Sequence, residues 1–367
     1  MRWNWQQKDW PRFSYEKAPL EELEKLFLHK SGFLLGSYQH IAKADKEALT
    51  VDLLSDEAYK TSEIEGEYLN RDSLRSSIRR YFGFSTDRKK SPPAEQGIAE
   101  MRVSLYQNYA AKLKHETLFE WQLMITRGRR DLHEIGRYRT HEEPMQVVSG
   151  SFHKPKIHFE APASKEVPYE MDQFINWFNR TAPGGKEPLP PLIRAGIAHL
   201  YFVCIHPFED GNGRIARALA EKALSQALGR PVLIALSHTI QSRRKAYYSA
   251  LESANKSNEI SDWLVYFAKT ILAAQDYTQK MIEFLIEKTK LYDRIRGQIN
   301  ARQERVIARL FQEGIEGFKG GLSAENYIRI TKTSRATATR DLQDLVDKDV
   351  LNRTGERKST RYTLNIK

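Results

Sequence analysis

The stretch HPFEDGNGRIAR, residues 206–217, gathers one histidine, one proline, two acids, two glycines and two arginines in a chain that otherwise reads as helix. Ahead of it, LPPLIRAGIAHLYFVCI (189–205) is apolar but for Arg194 and His199 and opened by prolines, which a first helical turn tolerates, so a buried helix runs straight into the stretch. A Gly211–Asn212–Gly213 turn at the start of the next helix lets backbone N–H groups converge on one point, where the helix dipole also favours negative charge. Arg214 and Arg217, three apart, share a face and can both reach a polyphosphate held there. Asp210 can hold a hard divalent cation such as Mg²⁺ against the same phosphates, and a neutral His206 can take a proton from an attacking hydroxyl. A glycine-rich turn capping a helix beside a buried histidine accounts for Gly211 and Gly213, but not for Asp210, Asn212 and both arginines together.

Working outward, the chain has 367 residues, 40% of them hydrophobic and 29% charged, as expected of a globular protein of two or three domains. Cys204 is the only cysteine, which excludes an intrachain disulfide and a thiolate metal cage; its surroundings FVCIHPF read as buried helix. No apolar run approaches the roughly 20 residues that span a bilayer, and MRWNWQQKDWPRF lacks a signal-peptide core, so no membrane partner and a cytoplasmic setting are expected. The formal net charge of +11 permits attraction to nucleic acid or nucleotide phosphates without specifying either.

The expected fold class is mainly α. Trp3, Trp5 and Trp10 precede a helix-like run, APLEELEKLFLHKSGFLLGSYQHI, and read as an aromatic cap on a helical domain over residues 1–85. VDLLSDEAYKTSEIEGEYL is a second helix ending near Gly66, and FGFSTDRKKSPPAEQG breaks the pattern as a boundary or loop. A core domain is expected over 98–275, with helical periodicity through HETLFEWQLMITRGRRDLHEIGRYR and, at 145–160, a β-hairpin of MQVV and KIHF around SGSFHKP. In the tail, 301–367, three amphipathic helices (the second with Ser323 as N-cap) precede the strands VLNRT and TRYTL joined by GERKS, the order of a winged helix-turn-helix.

Residues 206–217 resemble the Fic family signature HPFx(D/E)GNGRxxR and match every fixed position. The resemblance, covering roughly residues 50–260, implies a helical core that binds ATP with Mg²⁺, or Mn²⁺ in its place, and transfers AMP to a Ser, Thr or Tyr hydroxyl of a target protein. It makes His206 the general base, Asp210 the metal ligand, Gly211, Asn212 and Gly213 the phosphate cradle, Arg214 and Arg217 the holders of the outer phosphates, and Phe208 the loop's anchor. The family's phosphotransferase toxins carry lysine where this chain has Gly211, so AMP transfer is expected; removal of AMP, modification of the chain itself and a homodimer stay open. Adenine and ribose contacts are expected from Tyr247, Tyr248 and Asn255, with packing of the tyrosines as core the competing reading. The hairpin corresponds to the family's target-aligning flap, with Ile157 and His158 at its inner edge. TSEIEG matches the family's self-inhibiting helix, (S/T)xxxE(G/N), through Thr61, Glu65 and Gly66 within an inhibitory helix of about 51–66, where Glu65 would pair with Arg217 and withhold it from the γ-phosphate. The Trp-rich N-terminus is also similar to a bacterial subgroup with a helical leader.

Two functions follow from different parts of the chain. One is a protein adenylyltransferase; the other is a DNA-binding regulator whose Fic-like core only senses nucleotide. The tail holds 14 Lys and Arg against 9 Asp and Glu, with Arg353, Arg357, Lys358 and Arg361 on the wing, which favours DNA. Asp341, Asp344, Asp347 and Asp349 on the third helix oppose it. The intact signature favours the enzyme, because a sensor has no need of His206 beside the cradle.

Overall fold

The computed structural model describes residues 2–39, 41, 43–84, 91–151 and 154–366, and the chain divides into two compact units. The first comprises Met1–Gly36 and Lys46–Asp276, the second Ser37–Asp45 and Tyr277–Lys367. The N-terminal helices therefore share a unit with the expected core, and the second unit begins well before residue 301. Positions 85–90 of the expected boundary and positions 152–153 at the hairpin tip lie outside the described residues.

At the centre of the first unit α7 (Pro191–Ile205) lies against α8 (Asn212–Leu228). Apart from Val203, which is half-buried, every residue of α7 from Leu192 to Ile205 is buried, Arg194 and His199 included. Gly196 is the point of close approach: a Cβ there would stand 2.7 Å from Leu264 Cδ2 on α11 (Ser261–Arg294), and the Gly196 carbonyl accepts the Trp263 indole N–H at 2.9 Å. Tyr201 meets Trp10 and Phe13 edge to face, while the Trp5 indole donates to the Glu160 carbonyl at 2.7 Å. The N-terminal tryptophans thus pack as an apolar cap on the core, with the indole N–H groups of Trp5 and Trp10 satisfied, the latter by Glu170 at 2.9 Å.

Two N-terminal helices, α1 (Ala18–Gln39) and α2 (Lys43–Ile64), precede α3 (Arg71–Tyr81), α4 (Pro93–Gln107) and α5 (His115–Ile125). The helical periodicity read beyond Ile125 is not realised: residues 126–141 form an irregular loop, broken where Gly128 and Gly136 adopt φ of 91° and 70°. α2 is tied to the core by a buried charged cluster. Arg102 on α4 donates twice to Glu221 on α8, at 2.8 and 2.5 Å, and Glu57 on α2 accepts the Ser237 N–H at 2.9 Å. Burial, reinforced by the neighbouring Glu221 charge, pushes the Glu57 carboxyl up to about 8.

The hairpin forms from β1 (Gln146–Ser151) and β2 (Lys154–Glu160), antiparallel, with a bulge between Val147 and Val148. After it come α6 (Val167–Arg180), α7, α8, α9 (Leu236–Ser242), α10 (Arg244–Ala254) and α11.

The second unit packs α12 (Ala301–Gln312), α13 (Ala324–Thr331) and α14 (Arg335–Asp347) with an antiparallel pair, β3 (Leu351–Thr354) and β4 (Arg361–Leu364). Its core is Val306, Ile307, Leu310, Tyr327, Leu342, Leu345 and Leu351. Ser323 caps α13 by accepting the Asn326 N–H, and Leu322 pairs with Tyr362 as a further rung beside the hairpin. Among the described residues no helix is long and apolar enough to cross a membrane.

Candidate active site

The turn between α7 and α8 is held from three directions. His206 ends α7 in the left-handed region (φ 51°, ψ 57°), a conformation costly for a side chain bearing a Cβ. Arg139 stabilises it: its Nε donates to the His206 carbonyl at 2.8 Å, one Nη to Pro162 O at 2.6 Å, and its own N–H to Pro207 O at 3.0 Å. Asn212 braces the other side, accepting the Phe208 N–H at 3.0 Å and donating to the Phe208 carbonyl at 2.7 Å, while the Phe208 ring is fully buried. The Asn212 side chain is thus a loop brace, and only its backbone N–H remains for the cradle. Gly211 sits at φ 94°, where a lysine or any other L side chain would be strained.

This bracing fixes the chemistry of the imidazole. His206 Nδ1 lies 3.2 Å from Val203 O, which can only accept, so Nδ1 carries the proton and Nε2 keeps its lone pair. Burial holds the group down at about 4, assisted by the Arg139 charge, and the ring is neutral over the whole physiological range. Because the folded value lies below the ordinary 6.5, the unfolded chain binds the extra proton first. His206 therefore weakens the fold progressively as pH falls from 6.5 to 4, by up to about 3 kcal/mol, and has no such effect above 6.5. Melting temperatures of the parent and His206→Asn should converge, or cross in favour of the variant, as pH falls through that window. A parallel pH dependence in both would mean that the imidazole is not held neutral in the fold.

The two signature arginines are buried at the start of α8, and both reach residues at the end of α2. Arg217 donates from Nε to Thr61 Oγ1 at 2.7 Å and from Nη2 to the Thr61 carbonyl at 3.0 Å and Glu65 Oε1 at 2.7 Å, leaving Nη1 buried without a hydrogen-bond partner. Arg214 donates from Nη1 to Glu67 Oε2 at 2.6 Å, and its Nε is likewise buried and unpartnered. Helix α2 stops at Ile64 because Gly66 takes φ 86°, with the Glu67 N–H bonded to Ser62 O and the Gly66 N–H to Glu63 O, a Schellman end. That reversal puts Glu67 on Arg214. The helix expected to end near Gly66 thus ends at Ile64, two residues earlier. A Cβ at Gly213 would stand 2.3 Å from Glu65 Oε1, so the glycine is what lets this carboxylate lie against the first turn of α8.

Asp210 is engaged as well. Its Oδ2 accepts from Arg129 Nη1 at 2.5 Å, and its Oδ1 from the Gly211 N–H at 2.6 Å and Arg214 Nη2 at 3.4 Å. Among the described residues no cluster of three or more His, Cys, Asp and Glu gathers around an ion. An all-protein Mg²⁺ site does not fit. Asp210 is the residue that would hold a magnesium ion brought by a bound nucleotide, and Arg129, which now occupies it, has a second carboxylate partner in Asp131 at 2.8 and 2.6 Å.

The remaining candidates divide. Tyr247 is 1% exposed, and its hydroxyl bonds to His199 Nε2 at 2.9 Å, so it is core and presents no face to a base. Tyr248 is 38% exposed, bonded to the Ile64 carbonyl at 3.3 Å, with Arg244 over its ring. Asn255 donates to the His158 carbonyl at 3.2 Å, tying β2 to α10, and its Oδ1 is buried without a partner. His158 is clamped between Ser149 Oγ at 2.6 Å and Glu252 at 2.8 Å, whereas Ile157 is exposed on the hairpin beside Val148. Arg129, Arg139 and Glu67 were missed in the sequence, because each acts through contacts 67 to 147 residues distant along the chain.

Comparison with known proteins agrees with this geometry. Residues 112–224 match the Fic/DOC family model, and residues 3–84 match a domain of unknown function (DUF4172). A protein adenylyltransferase Fic of Nematostella vectensis is 31% identical over 159 residues, which are 43% of this chain and 31% of that protein. Protein adenylyltransferase fic-1 of Caenorhabditis elegans is 32% identical over 143 residues, 39% of this chain and 24% of its own. The chain therefore spans between a quarter and a third of the length of these relatives. In fold it is similar to the crystal structure of a Fic family protein from Desulfovibrio desulfuricans, with a TM-score of 0.55 at 19% identity, covering 96% of this chain and 98% of that one. The domain that holds His206 and the two buried arginines, residues 112–224, is the part of this chain that matches the Fic/DOC family.

Proposed function

We propose that the chain is a protein adenylyltransferase, moving AMP from ATP to a Ser, Thr or Tyr hydroxyl of a protein, and that the end of α2 restrains it. The observation carrying this reading is a neutral imidazole with a free Nε2 beside a helix start where two buried guanidiniums have unfilled donors. In the reaction the acceptor hydroxyl gives its proton to His206 Nε2 while its oxygen attacks the α-phosphorus, and the bond to pyrophosphate breaks. Arg214, Arg217 and the first N–H groups of α8 bind the β- and γ-phosphates and the charge that develops on them. Asp210 would hold Mg²⁺ with these phosphates, and the ion would neutralise the leaving pyrophosphate. Tyr248 offers a ring face to adenine, and the exposed edge of the hairpin at Val148 and Ile157 offers a strand to the target. The reading carries with it a bacterial cytoplasmic setting and the chain itself as one acceptor.

The experiment is incubation of the purified chain and of a Glu65→Gly variant with α-labelled ATP and a cell lysate, with and without Mg²⁺. Metal-dependent transfer of label to protein, together with release of pyrophosphate, is the expected outcome. Label from γ-labelled ATP appearing on protein instead would make the chain a phosphotransferase and overturn the proposal.

A further inference from the structure

Of the four aspartates that argued from the sequence against a nucleic-acid partner, Asp349 lies beyond the end of α14, in the left-handed region, and the second unit shows where the charges of the other three go. Asp341 is buried and accepts from Arg302 Nε at 2.8 Å, Tyr327 Oη at 2.9 Å and Asn300 Nδ2 at 3.2 Å, so it is an internal counter-charge. Asp344 accepts from Lys348 at 2.6 Å and Gln303 at 2.7 Å, and Asp347 from Gln343 at 2.8 Å. All three lie in the second half of the helix or face inward. The first half of α14 presents Arg335, Ala336, Thr339 and Arg340 to solvent, following a three-residue turn whose Lys332 is also exposed. Positions 335, 336, 339 and 340 share one helical face. Arg302, Arg309 and Lys348 are paired with Asp341, Glu313 and Asp344, whereas Arg335, Arg340, Arg353 and Arg357 carry no ion pair among the described residues.

From this distribution we infer that the second unit carries a duplex-DNA binding surface formed by the first half of α14 and the β3–β4 hairpin. The α13–turn–α14 arrangement places α14 as the second helix of a helix-turn-helix, whose N-terminal residues reach base edges in the major groove. Ala336 and Thr339 between the arginines keep that face low, so the helix can approach closely, and their methyl groups suit contact with thymine. Arg335 and Arg340 reach guanine edges or flanking phosphates, and Arg353 on β3 with Arg357 in the following turn reach the neighbouring backbone. Lys358, expected on the wing, has no described side chain. The inference does not depend on the AMP-transfer reading, because none of these residues belongs to the first unit.

The test is fluorescence anisotropy of the full chain on a labelled duplex of about 30 base pairs of mixed sequence, from low to physiological salt. Three double variants are compared with the parent: Arg335→Ala/Arg340→Ala, Arg353→Ala/Arg357→Ala, and Arg296→Ala/Arg309→Ala, which matches them in charge but removes arginines already paired with Asp293 and Glu313. The first two should each weaken binding roughly tenfold or more at low salt and flatten the slope of log affinity on log salt by up to about 2, while the third stays near the parent. No binding by the parent at low ionic strength would overturn the inference and leave this face to a protein partner. So would equal losses in all three variants, which would mean that net charge alone attracts DNA.

Discussion

Replacing His206 by alanine is expected to lower AMP incorporation by on the order of 10²- to 10⁴-fold while ATP affinity changes little. The two effects separate because the imidazole and the phosphate grip are separate pieces of structure. His206 ends α7, with Nδ1 fixed on Val203 O, and contributes an acceptor for a proton. The grip comes from the first turn of α8 and from Arg214 and Arg217, whose positions depend on Thr61, Asn212 and the packing of Phe208. Removing the ring also relieves nothing electrostatic at the phosphates, because it is neutral. Initial rates of label transfer and ATP affinity by calorimetry, both in a Glu65→Gly background so that the rate is large enough to fall, decide the matter. Comparable rates in the two proteins would remove His206 from proton transfer. A parallel loss of ATP binding would make it a structural part of the cradle.

The site's inner half was legible in the sequence because its parts are contiguous: His206, Asp210, Gly211, Gly213, Arg214 and Arg217 fall within twelve residues, and a helix start imposes their geometry. The same holds for α7, whose apolar residues, interrupted only by Arg194 and His199, leave it no polar face. What could not be read is what presses on this half from elsewhere. Nothing local marks Arg139 as the clamp on the His206 carbonyl, since an isolated arginine in a loop reads as solvated. Asn212 read as part of an anion cradle, yet its side chain is consumed in bracing Phe208, a role that depends on the backbone turning back on itself. Tyr247 and Tyr248 are neighbours of identical chemistry, and the helical period alone sends one into the core beside His199 and leaves the other at the surface. In the tail the count of acids could not show on which face each charge lies: Asp341 is an inward ligand of Arg302, not an outward group.

The end of α2 is where sequence and structure differ with the most consequence. Glu65→Gly is expected to raise AMP incorporation by tens- to hundreds-fold, and Glu67→Ala by a smaller factor, of order 3 to 10, with the double variant exceeding either. The physical argument starts from Thr61, whose hydroxyl and carbonyl hold Arg217 in place whether or not Glu65 is present. Glu65 therefore does not position the guanidinium; it occupies it, and its carboxylate lies against Gly213, where a phosphate would otherwise meet the first N–H groups of α8. An incoming γ-phosphate meets a like charge at contact distance, a repulsion of a few kcal/mol even in a well-screened site, and loses a donor as well. Glu67 acts on Arg214 in the same sense, but the carboxylate that lies against Gly213 at the start of α8 is that of Glu65, hence the smaller effect of Glu67. Glu63, paired with Lys60 at 2.7 Å, touches neither arginine, so Glu63→Gly is the control for damage to the helix end. Initial rates for the four variants and the parent at equal protein and ATP concentrations, with ATP affinity measured alongside, test the scheme. If Glu63→Gly activates as strongly as Glu65→Gly, loosening of α2 rather than unmasking of Arg217 is responsible. A silent Glu67→Ala confines the restraint to the Glu65–Arg217 pair.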